Sequence, residues 1–442
     1  MKFQLISIFP EFFEVLKLSL LGKAVENGVL SWEATNLRDF TTDPHRSVDD
    51  TPYGGGAGMV MRADIWGKAI DAALEECENS AKVILAIPTP SGEPLTQAKV
   101  REIAASADNV IVACGRYEGI DSRVATHYRD AETYPHLEVF EFTLGDYVLN
   151  GGEIAAVALV EAVGRLLDGT VGNPNSLVEE SFEGSGLLEY PAFTRPEIWR
   201  GLDVPEVLTG GNHKDIDHWR RARAIERTAR IRPELLGNLN ANNLTKRDRE
   251  QLAGLGWVYL PSSEGFDAKQ VTIRKPDRGE AMALSALGSE TFQLACPSFV
   301  TREEIERFTA EEFDLEAVKA RLEDPEHHRY LVAEIDGELV GYTYVIVGMD
   351  SAHAAEAGIS SGDAYLSKCY VREAMHGTGL AGALLEAALA ELDEAPVSLG
   401  TSIFNKRAQK FYKRRGFKKA GTRTFMVGGR ENQDVVMRRV ED

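Results

Sequence analysis

The segment at residues 144–153 limits the possible folds of this 442-residue chain more than any other, because four apolar or aromatic residues stand among three glycines and two carboxylates. It is too polar and glycine-rich for a core strand, yet too apolar for a solvated loop. Glycine lets backbone approach a ligand closely, so exposed amide and carbonyl groups can read a planar base without side chains. Taken alone, the segment predicts a tight turn before a helix over residues 154–167.

Composition narrows the functional classes. The formal net charge of −20 argues against a protein that coats nucleic acid over its whole surface. The four cysteines are scattered without a C-x-x-C pair, which is typical of a reducing cytosol and does not predict a structural zinc site. We find no signal peptide and no run near the ~18 apolar residues of a membrane span. These features predict a cytoplasmic protein without a membrane partner.

The first half of the chain alternates strand-like and helix-like segments, which predicts an α/β fold with a mostly parallel sheet. Strands are expected at 3–9, 83–87 and 110–114, and helices at 11–27, 96–105 and 154–167. In the second half, strands are expected at 330–335, 339–347 and 365–371, and helices at 303–308, 315–322, 380–392 and 406–415.

Composition shifts along the chain predict five parts. They are an α/β domain at 1–167, a flexible connector at 168–191, a helical basic domain at 192–257, a linker at 258–269 and a second α/β domain at 270–442.

Two further glycine-rich strings, at 48–59 and 114–121, occur in addition to the segment at residues 144–153. None of the three has the G-x-G-x-x-G pattern after a strand that marks a dinucleotide fold. Together with the strings at 38–41, 121–124, 193–197 and 211–213, they resemble the bacterial tRNA (guanine-N1)-methyltransferase family over residues 1 to about 257.

This resemblance implies a trefoil-knotted α/β fold of the SPOUT class, S-adenosylmethionine as methyl donor, magnesium dependence, a homodimer with shared active sites, and guanosine at tRNA position 37 as target. We see no dedicated metal site in the sequence. The donor-binding residues would be Pro90, Gly92, Gly115, Leu144, Gly145, Asp146, Tyr147, Val148 and Leu149. The residues facing the guanine would be Asp50, Gly54, Gly55, Gly56, Gly58, Met59 and Glu118.

The chemistry needs two further groups. Guanine N1 must lose its proton before it becomes nucleophilic, and a carboxylate can take that proton. A cation near O6 stabilises the charge that develops. The family pairs an arginine with an aspartate fifteen positions later, which correspond here to Arg165 and Glu180. Glutamate replaces the usual aspartate, so two alternatives stay open: Glu180 is one of two acids in a solvated loop, or the domain binds tRNA without turnover.

Residues 219–232 carry six arginines against one acid. Four of them follow helical spacing and would share one face: Arg220, Arg223, Arg227 and Arg230. A solvated charged face is the ordinary interpretation of such a stripe. Because the local charge opposes that of the whole chain, we expect contacts with tRNA phosphates.

The last third resembles the GNAT family of acetyl-CoA-dependent N-acetyltransferases, over residues 270–442. A strand at 365–371 leads into a glycine turn at 376–381 and a helix, which can cradle a pyrophosphate. His376 stands where the family usually has arginine or glutamine. The cofactor residues implied are Val371, Gly377, Gly379, Ala381 and Asn405.

Within this resemblance, Tyr412 would protonate the leaving thiolate, although packing beside Phe411 and Phe417 would also explain it. No spacing argument identifies the general base, for which Glu303, Glu334 and His327 are guesses. The amine acceptor is unknown. The sequence therefore predicts a methyltransferase fused to an acetyltransferase, or to a domain that binds acetyl-CoA only as a sensor or docking unit.

Overall fold

The computed structural model divides the chain into two units, Met1–Glu183 and Gly184–Asp442. It describes residues 1–77, 82–171, 186–263, 265–296, 300–392, 395–427 and 430–440. Both units are mixed α/β.

The first unit is built on a five-stranded parallel sheet. The strands described in this unit are β1 (Lys2–Ser7), β2 (Ser31–Asn36), β3 (Asp49–Asp50), β4 (Val60–Met61), β5 (Val83–Pro94), β6 (Asn109–Ala113) and β7 (Leu137–Thr143). The order in the sheet is β2-β1-β6-β5-β7, while β3 and β4 form a separate pair. Its helices are α1 (Ser19–Glu26), α2 (Ala63–Glu75), α3 (Gln97–Ser106), α4 (Arg123–Tyr128) and α5 (Glu153–Gly164).

Both faces of this sheet are buried. Along β1, Phe3 and Leu5 enter one apolar cluster and Ile6 enters the other. Because successive side chains of a strand point to opposite faces, a strand buried on both sides is a nearly continuous apolar run. This explains why the strand predictions for the first half are confirmed.

The single helix predicted over residues 11–27 is wrong. Residues Pro10–Lys17 form a 3₁₀ helix, and α1 begins only at Ser19, where φ is +57°. A Cβ at Gly22 would collide with the carbonyl of Lys17, so the two segments meet backbone to backbone. The apolar periodicity continues through both segments and hides the break at Leu18.

The second unit begins with short elements and two longer helices, named β8 (Ile198–Trp199), β9 (Leu202–Asp203), α6 (Glu206–Thr209), α7 (His213–Ile231) and α8 (Lys246–Gly254). A hairpin follows, formed by β10 (Trp257–Ser262) and β11 (Gly265–Gln270).

A seven-stranded sheet dominates the rest, with β12 (Thr272–Arg274), β13 (His328–Ile335), β14 (Glu338–Ile346), β15 (Ala364–Val371), β16 (Val397–Ser402), β17 (Lys418–Val427) and β18 (Arg430–Arg439). Its order is β12-β13-β14-β15-β16-β18-β17, and β15–β16 is its parallel pair. Its helices are α9 (Ala281–Gln293), α10 (Arg302–Glu312), α11 (Leu315–Glu323), α12 (Ser351–Ala357), α13 (Leu380–Ala390) and α14 (Lys406–Lys413).

Residues 258–269, expected as a linker, form most of the β10–β11 hairpin. Val258 is fully buried in the apolar cluster under the seven-stranded sheet, together with Leu384 of α13. The next residue, Tyr259, points into a different cluster that contains Ile225 of α7 and Leu252 of α8. The hairpin therefore joins two cores through its alternating side chains.

No helix in the described ranges is long and apolar enough to cross a membrane. The four cysteines, Cys77, Cys114, Cys296 and Cys369, are free thiols.

Replacing Val258 with alanine removes apolar volume from a site with no exposed surface. We expect a loss of about 2 kcal/mol, which lowers the midpoint of thermal unfolding of the second unit by roughly 5 °C. Val440→Ala, at a half-exposed position, is the matched control and should leave the midpoint unchanged. Equal midpoints for the two variants in calorimetry would show that the hairpin is not part of that core.

Candidate functional site

In the first unit, three glycine-containing segments cross at the end of the parallel sheet. Gly152 donates a hydrogen bond from its amide to the carbonyl of Gly115 at 2.9 Å. A Cβ at Gly152 would lie 3.0 Å from the Cα of Cys114, and one at Gly92 would collide with the backbone of Phe142. The predicted donor residue Gly92 thus packs on β7, just before the segment at residues 144–153, and Gly115 packs on the end of that segment.

The loop at residues 144–149 presents backbone donors. Thr143 fixes its start, since the Thr143 hydroxyl donates to the carbonyl of Gly145 at 2.9 Å. Among the described residues, no acceptor binds the amides of Asp146, Val148 and Leu149. Free amides beside glycine can hydrogen-bond the edge of a planar base, which fits the adenine of the predicted methyl donor.

Exposed side chains border this loop. Tyr147 is 56% exposed and Val148 is 79% exposed. The predicted donor residue Pro90 is also exposed, whereas Leu144 packs against the core. An apolar rim around free backbone donors is typical of a ligand site or of a surface that a second chain covers.

The predicted guanine-binding residues also meet. The amide of Glu118 donates to the carbonyl of Met59 at 2.9 Å. A Cβ at Gly58 would collide with the Glu118 carboxylate. Four glycines of the loop have positive φ, so the loop needs glycine at these positions: Gly54, Gly55, Gly56 and Gly58. Asp50, at the loop's start, is exposed.

A buried carboxylate that the sequence analysis did not single out supports this crossing. Glu153 is 1% exposed and accepts hydrogen bonds from the Ser7 hydroxyl at 2.6 Å and from Nε of Arg116 at 3.1 Å. Burial, with a contribution from Glu153, raises the pKa of Cys114 well above its usual range. Cys114 is therefore a protonated packing residue. Glu153 aligns the Arg116 side chain next to the segment at residues 144–153.

One member of the predicted catalytic pair, Arg165, lies within the described residues. Arg165 is half-buried and follows α5, about 20 Å along the helix axis from Gly152. Glu180 lies outside the described residues. Within one chain, the donor loop and Arg165 are at opposite ends of α5.

The arginine stripe lies on α7, where Arg223, Arg227 and Arg230 are exposed. Arg223 pairs with Glu226 at 2.7 Å. Arg220 is half-buried, with its guanidinium 4.8 Å from the ring centroid of Tyr190. Three of the four predicted phosphate contacts are therefore open to solvent, while Arg220 also packs against an aromatic ring.

In the second unit, the parallel strands β15 and β16 separate and leave a cavity. They pair only at Ala364–Val397 and Tyr365–Ser398. Beyond this point, a cavity of about 280 Å³ lies between residues 366–371 and 400–402. The predicted cofactor residues Val371, Ala381 and Asn405 line it, as does the predicted acid Tyr412.

The glycine turn before α13 has the geometry of an anion cradle. Gly377 and Gly379 have positive φ, and among the described residues no acceptor binds the amides of Gly377, Gly379 and Ala381. Free amides at a helix N-terminus bind phosphates, so the turn fits the pyrophosphate of acetyl-CoA. Its outer side rests on α8, since a Cβ at Gly379 would lie 2.5 Å from the carbonyl oxygen of Arg249.

Tyr412 and Asn405 occupy positions that suit their predicted roles. Burial raises the pKa of Tyr412 well above its usual range, so the phenol keeps its proton for a leaving thiolate. Asn405 caps α14 by accepting from the amide of Ala408 at 2.9 Å, which leaves its NH₂ group for a ligand. Burial lowers the pKa of His376, and Arg407 adds to this effect from 3.5 Å.

None of the three guessed bases lines this cavity. Glu303 is exposed on α10. Glu334 accepts from Nε of Arg274 at 2.9 Å, and Nδ1 of His327 pairs with Asp324 at 3.0 Å. The structure instead brings Lys368, Arg423 and Asp434 to the cavity, which the sequence analysis did not find. Within the described part of the chain, no cluster of His, Cys, Asp and Glu is arranged for a metal ion.

In the first unit, glycine-containing segments cross at the end of a parallel sheet. In the second unit, two strands separate beside a glycine turn that suits a phosphate. Together these features define a protein of the transferase class. Residues 1–238 match the family model described as tRNA (Guanine-1)-methyltransferase TrmD. Because the match covers more than half of the chain, the protein belongs to this family. Residues 290–417 match the Acetyltransferase (GNAT) family, so a GNAT domain is fused behind the methyltransferase.

Curated relatives agree with this assignment. A tRNA (guanine-N(1)-)-methyltransferase of Paenarthrobacter aurescens (strain TC1) is 51% identical over 257 residues, covering 58% of this chain and 94% of the relative. One of Leifsonia xyli subsp. xyli (strain CTCB07) is 53% identical over 236 residues, covering 53% and 100%. One of Kineococcus radiotolerans is 49% identical over 273 residues, covering 61% and 95%.

Gly379→Ala tests the contact between the glycine turn and α8. The new Cβ would collide with the α8 backbone. The alanine would also have to keep a left-handed φ, which costs about 1–2 kcal/mol by itself. We expect a larger fall in the thermal midpoint than for Gly377→Ala, where φ is also positive but no atom lies within 4 Å. If calorimetry gave the same fall for both variants, α8 would not be packed on the turn.

Proposed function

We propose that residues 1–167 bind S-adenosylmethionine and, together with Glu180 of the connector, methylate N1 of guanosine 37 in tRNA. The observation that carries this proposal is the crossing of Gly92, Gly115 and Gly152 beside the Gly58–Glu118 contact, in a chain of this family. The loop at residues 144–149 offers free amides for the donor, and the glycine loop at residues 54–58 would face the base.

The catalytic steps rest on two side chains. The donor supplies an electrophilic methyl group on a sulfonium. Glu180 takes the proton from guanine N1, and Arg165 stabilises the negative charge that collects on O6. Glutamate and aspartate have similar intrinsic pKa values, so the replacement changes the reach of the base and not its strength.

We further propose the trefoil knot and the homodimer of this family. The knot is supported by the hydrogen bond between Gly152 and Gly115, which ties the segment after β7 to the end of β6. The dimer is supported by exposed apolar side chains near the sheet end and by the distance of Arg165 from the donor loop. The exposed set includes Phe9, Phe12, Val15, Leu18, Tyr147, Val148 and Ile154.

The basic helix α7 would bind the tRNA backbone within a domain spanning 192–257, preceded by a connector at 168–191. Its exposed arginines suit phosphate contacts, which set affinity and register. Since tRNA modification acts on a cytoplasmic substrate, we place the protein in the cytoplasm.

For residues 270–442 we propose acetyl transfer from acetyl-CoA to an amine. Acetyl-CoA supplies an activated acyl group on sulfur. The free amides of the turn hold its pyrophosphate, and Val371 and Asn405 bind its arm. Tyr412 gives its proton to the departing thiolate, since burial keeps the phenol protonated.

Glu180→Gln removes the base without changing side-chain length. We expect the rate of 1-methylguanosine formation to fall on the order of 10²-fold or more, measured with labelled S-adenosylmethionine and a tRNA carrying G at position 37. Glu179→Gln is the matched control and should keep the rate. Loss in both variants, or in neither, would remove Glu180 as the base.

Tyr412→Phe separates catalysis from acetyl-CoA sensing. Removing the hydroxyl should lower the release of CoA thiol on the order of 10²-fold, while acetyl-CoA binds with unchanged affinity in calorimetric titration. Tyr342→Phe removes a buried hydroxyl outside the cavity and should keep the rate. An unchanged rate for Tyr412→Phe would contradict the acid role.

A further inference from the structure

A primary amine reaches an acetyltransferase mainly as an ammonium ion, whose nitrogen has no free electron pair. The proposed acetyl transfer therefore needs a proton acceptor in the cavity. The following assignment rests on that proposed function and goes beyond it by naming the acceptor.

Asp434 is the only carboxylate among the described residues that line the cavity. It lies on β18, opposite Ser402 of β16, and its side chain is 8% exposed. Ser402 and Tyr412 line the same cavity. The register of β16 and β18 thus delivers a carboxylate to the cavity that contains the proposed acid.

A fixed arginine orients this carboxylate. Arg423 approaches Oδ2 of Asp434 with Nη2 at 3.3 Å and Nε at 3.4 Å. Arg423 is itself held by the Tyr365 hydroxyl at 2.7 Å and by the carbonyl of Ala357 at 2.8 Å. Both contacts from Arg423 go to Oδ2. No described residue donates a hydrogen bond to Oδ1, which is therefore available to a ligand.

We propose that Asp434 is the proton acceptor for the acetyl transfer, using Oδ1 towards the incoming amine. Burial raises the pKa of Asp434 above its usual value, although Arg423 opposes the shift. The raised pKa makes the Asp434 carboxylate a stronger base than an ordinary aspartate.

The other titratable groups near the cavity are less suitable. Lys368 pairs with Glu312 at 3.2 Å, and that glutamate does not line the cavity. His376 lies at the glycine turn, 3.5 Å from Arg407. Burial raises the pKa of Tyr370, so this phenol keeps its proton and is not a base.

Two residues, Asp434 and Tyr412, account for the protons of the reaction. Asp434 takes one proton from the ammonium group, which frees the nitrogen electron pair. The nitrogen–carbon bond of the amide then forms as the carbon–sulfur bond of the thioester breaks, and the thiolate takes the proton of Tyr412. The second proton lost by the nitrogen restores Tyr412, and Asp434 returns its proton to solvent.

Two small amines test the assignment in the full-length protein. Methylamine is protonated at neutral pH and needs a base, whereas hydroxylamine is largely unprotonated and does not. With acetyl-CoA and each amine, CoA thiol release is followed for Asp434→Asn. We expect the methylamine rate to fall about 10²-fold or more, with the hydroxylamine rate and the acetyl-CoA affinity kept within a few-fold of wild type.

Controls make the result specific. Asp363→Asn alters another buried aspartate–arginine pair, with Arg438 at 2.8 Å, outside the cavity, and should keep both rates. Asp434→Glu retains a carboxylate and should keep part of the methylamine rate. Equal losses with both amines, or no loss with methylamine, would overturn the role of Asp434. Wild-type protein that binds acetyl-CoA but acetylates neither amine would instead overturn the proposed acetyl transfer, and the base assignment with it.

Discussion

Close backbone contact, possible only where a Cβ is absent, organises both proposed cofactor sites. In the first unit, Gly92 faces the backbone of Phe142, and Gly152 lies against Cys114 and Gly115. In the second unit, Gly379 rests on the backbone of α8. At each place two chain segments approach within van der Waals contact of their main chains, and neighbouring amides have no acceptor in the described part of the chain. The same constraint that packs the segments thus creates the hydrogen-bond donors that a cofactor needs.

This constraint explains which parts of the structure the sequence predicts. Glycine strings and buried parallel strands are local signals, so the donor segments, β15, the turn at 376–381 and most helices were predictable. The break at Leu18 was not, because apolar periodicity continues across it. Asp434 was not predictable either, since it acts through the pairing of β18 with β16 and through Arg423 of β17. No fixed spacing from Tyr412 reveals that arrangement.

Helix α8 and the hairpin that follows it give the second unit its continuity. Asp248 of α8 is buried and lies 3.6 Å from Nε of Arg221 on the arginine helix α7. The following residues of α8, Arg249 and Glu250, lie against Gly379, and Arg415 reaches Glu250 at 3.6 Å. Val258 then enters the core of the seven-stranded sheet. The basic helix and the phosphate turn are therefore connected by packed elements, and a displacement of α8 would be felt at both.

The two sites use side chains in opposite ways. At the acetyl site, Tyr412 and Asp434 line one cavity of a single chain, and burial raises the pKa of both groups. The acid keeps its proton and the base gains proton affinity from the same loss of water. At the methyl site, Arg165 stands about 20 Å along α5 from the loop that presents the donor amides. Tyr412 and Asp434 thus share one cavity of a single chain, whereas the donor loop and Arg165 lie at opposite ends of α5. The homodimer that we propose would bring an arginine of a second chain to the donor loop.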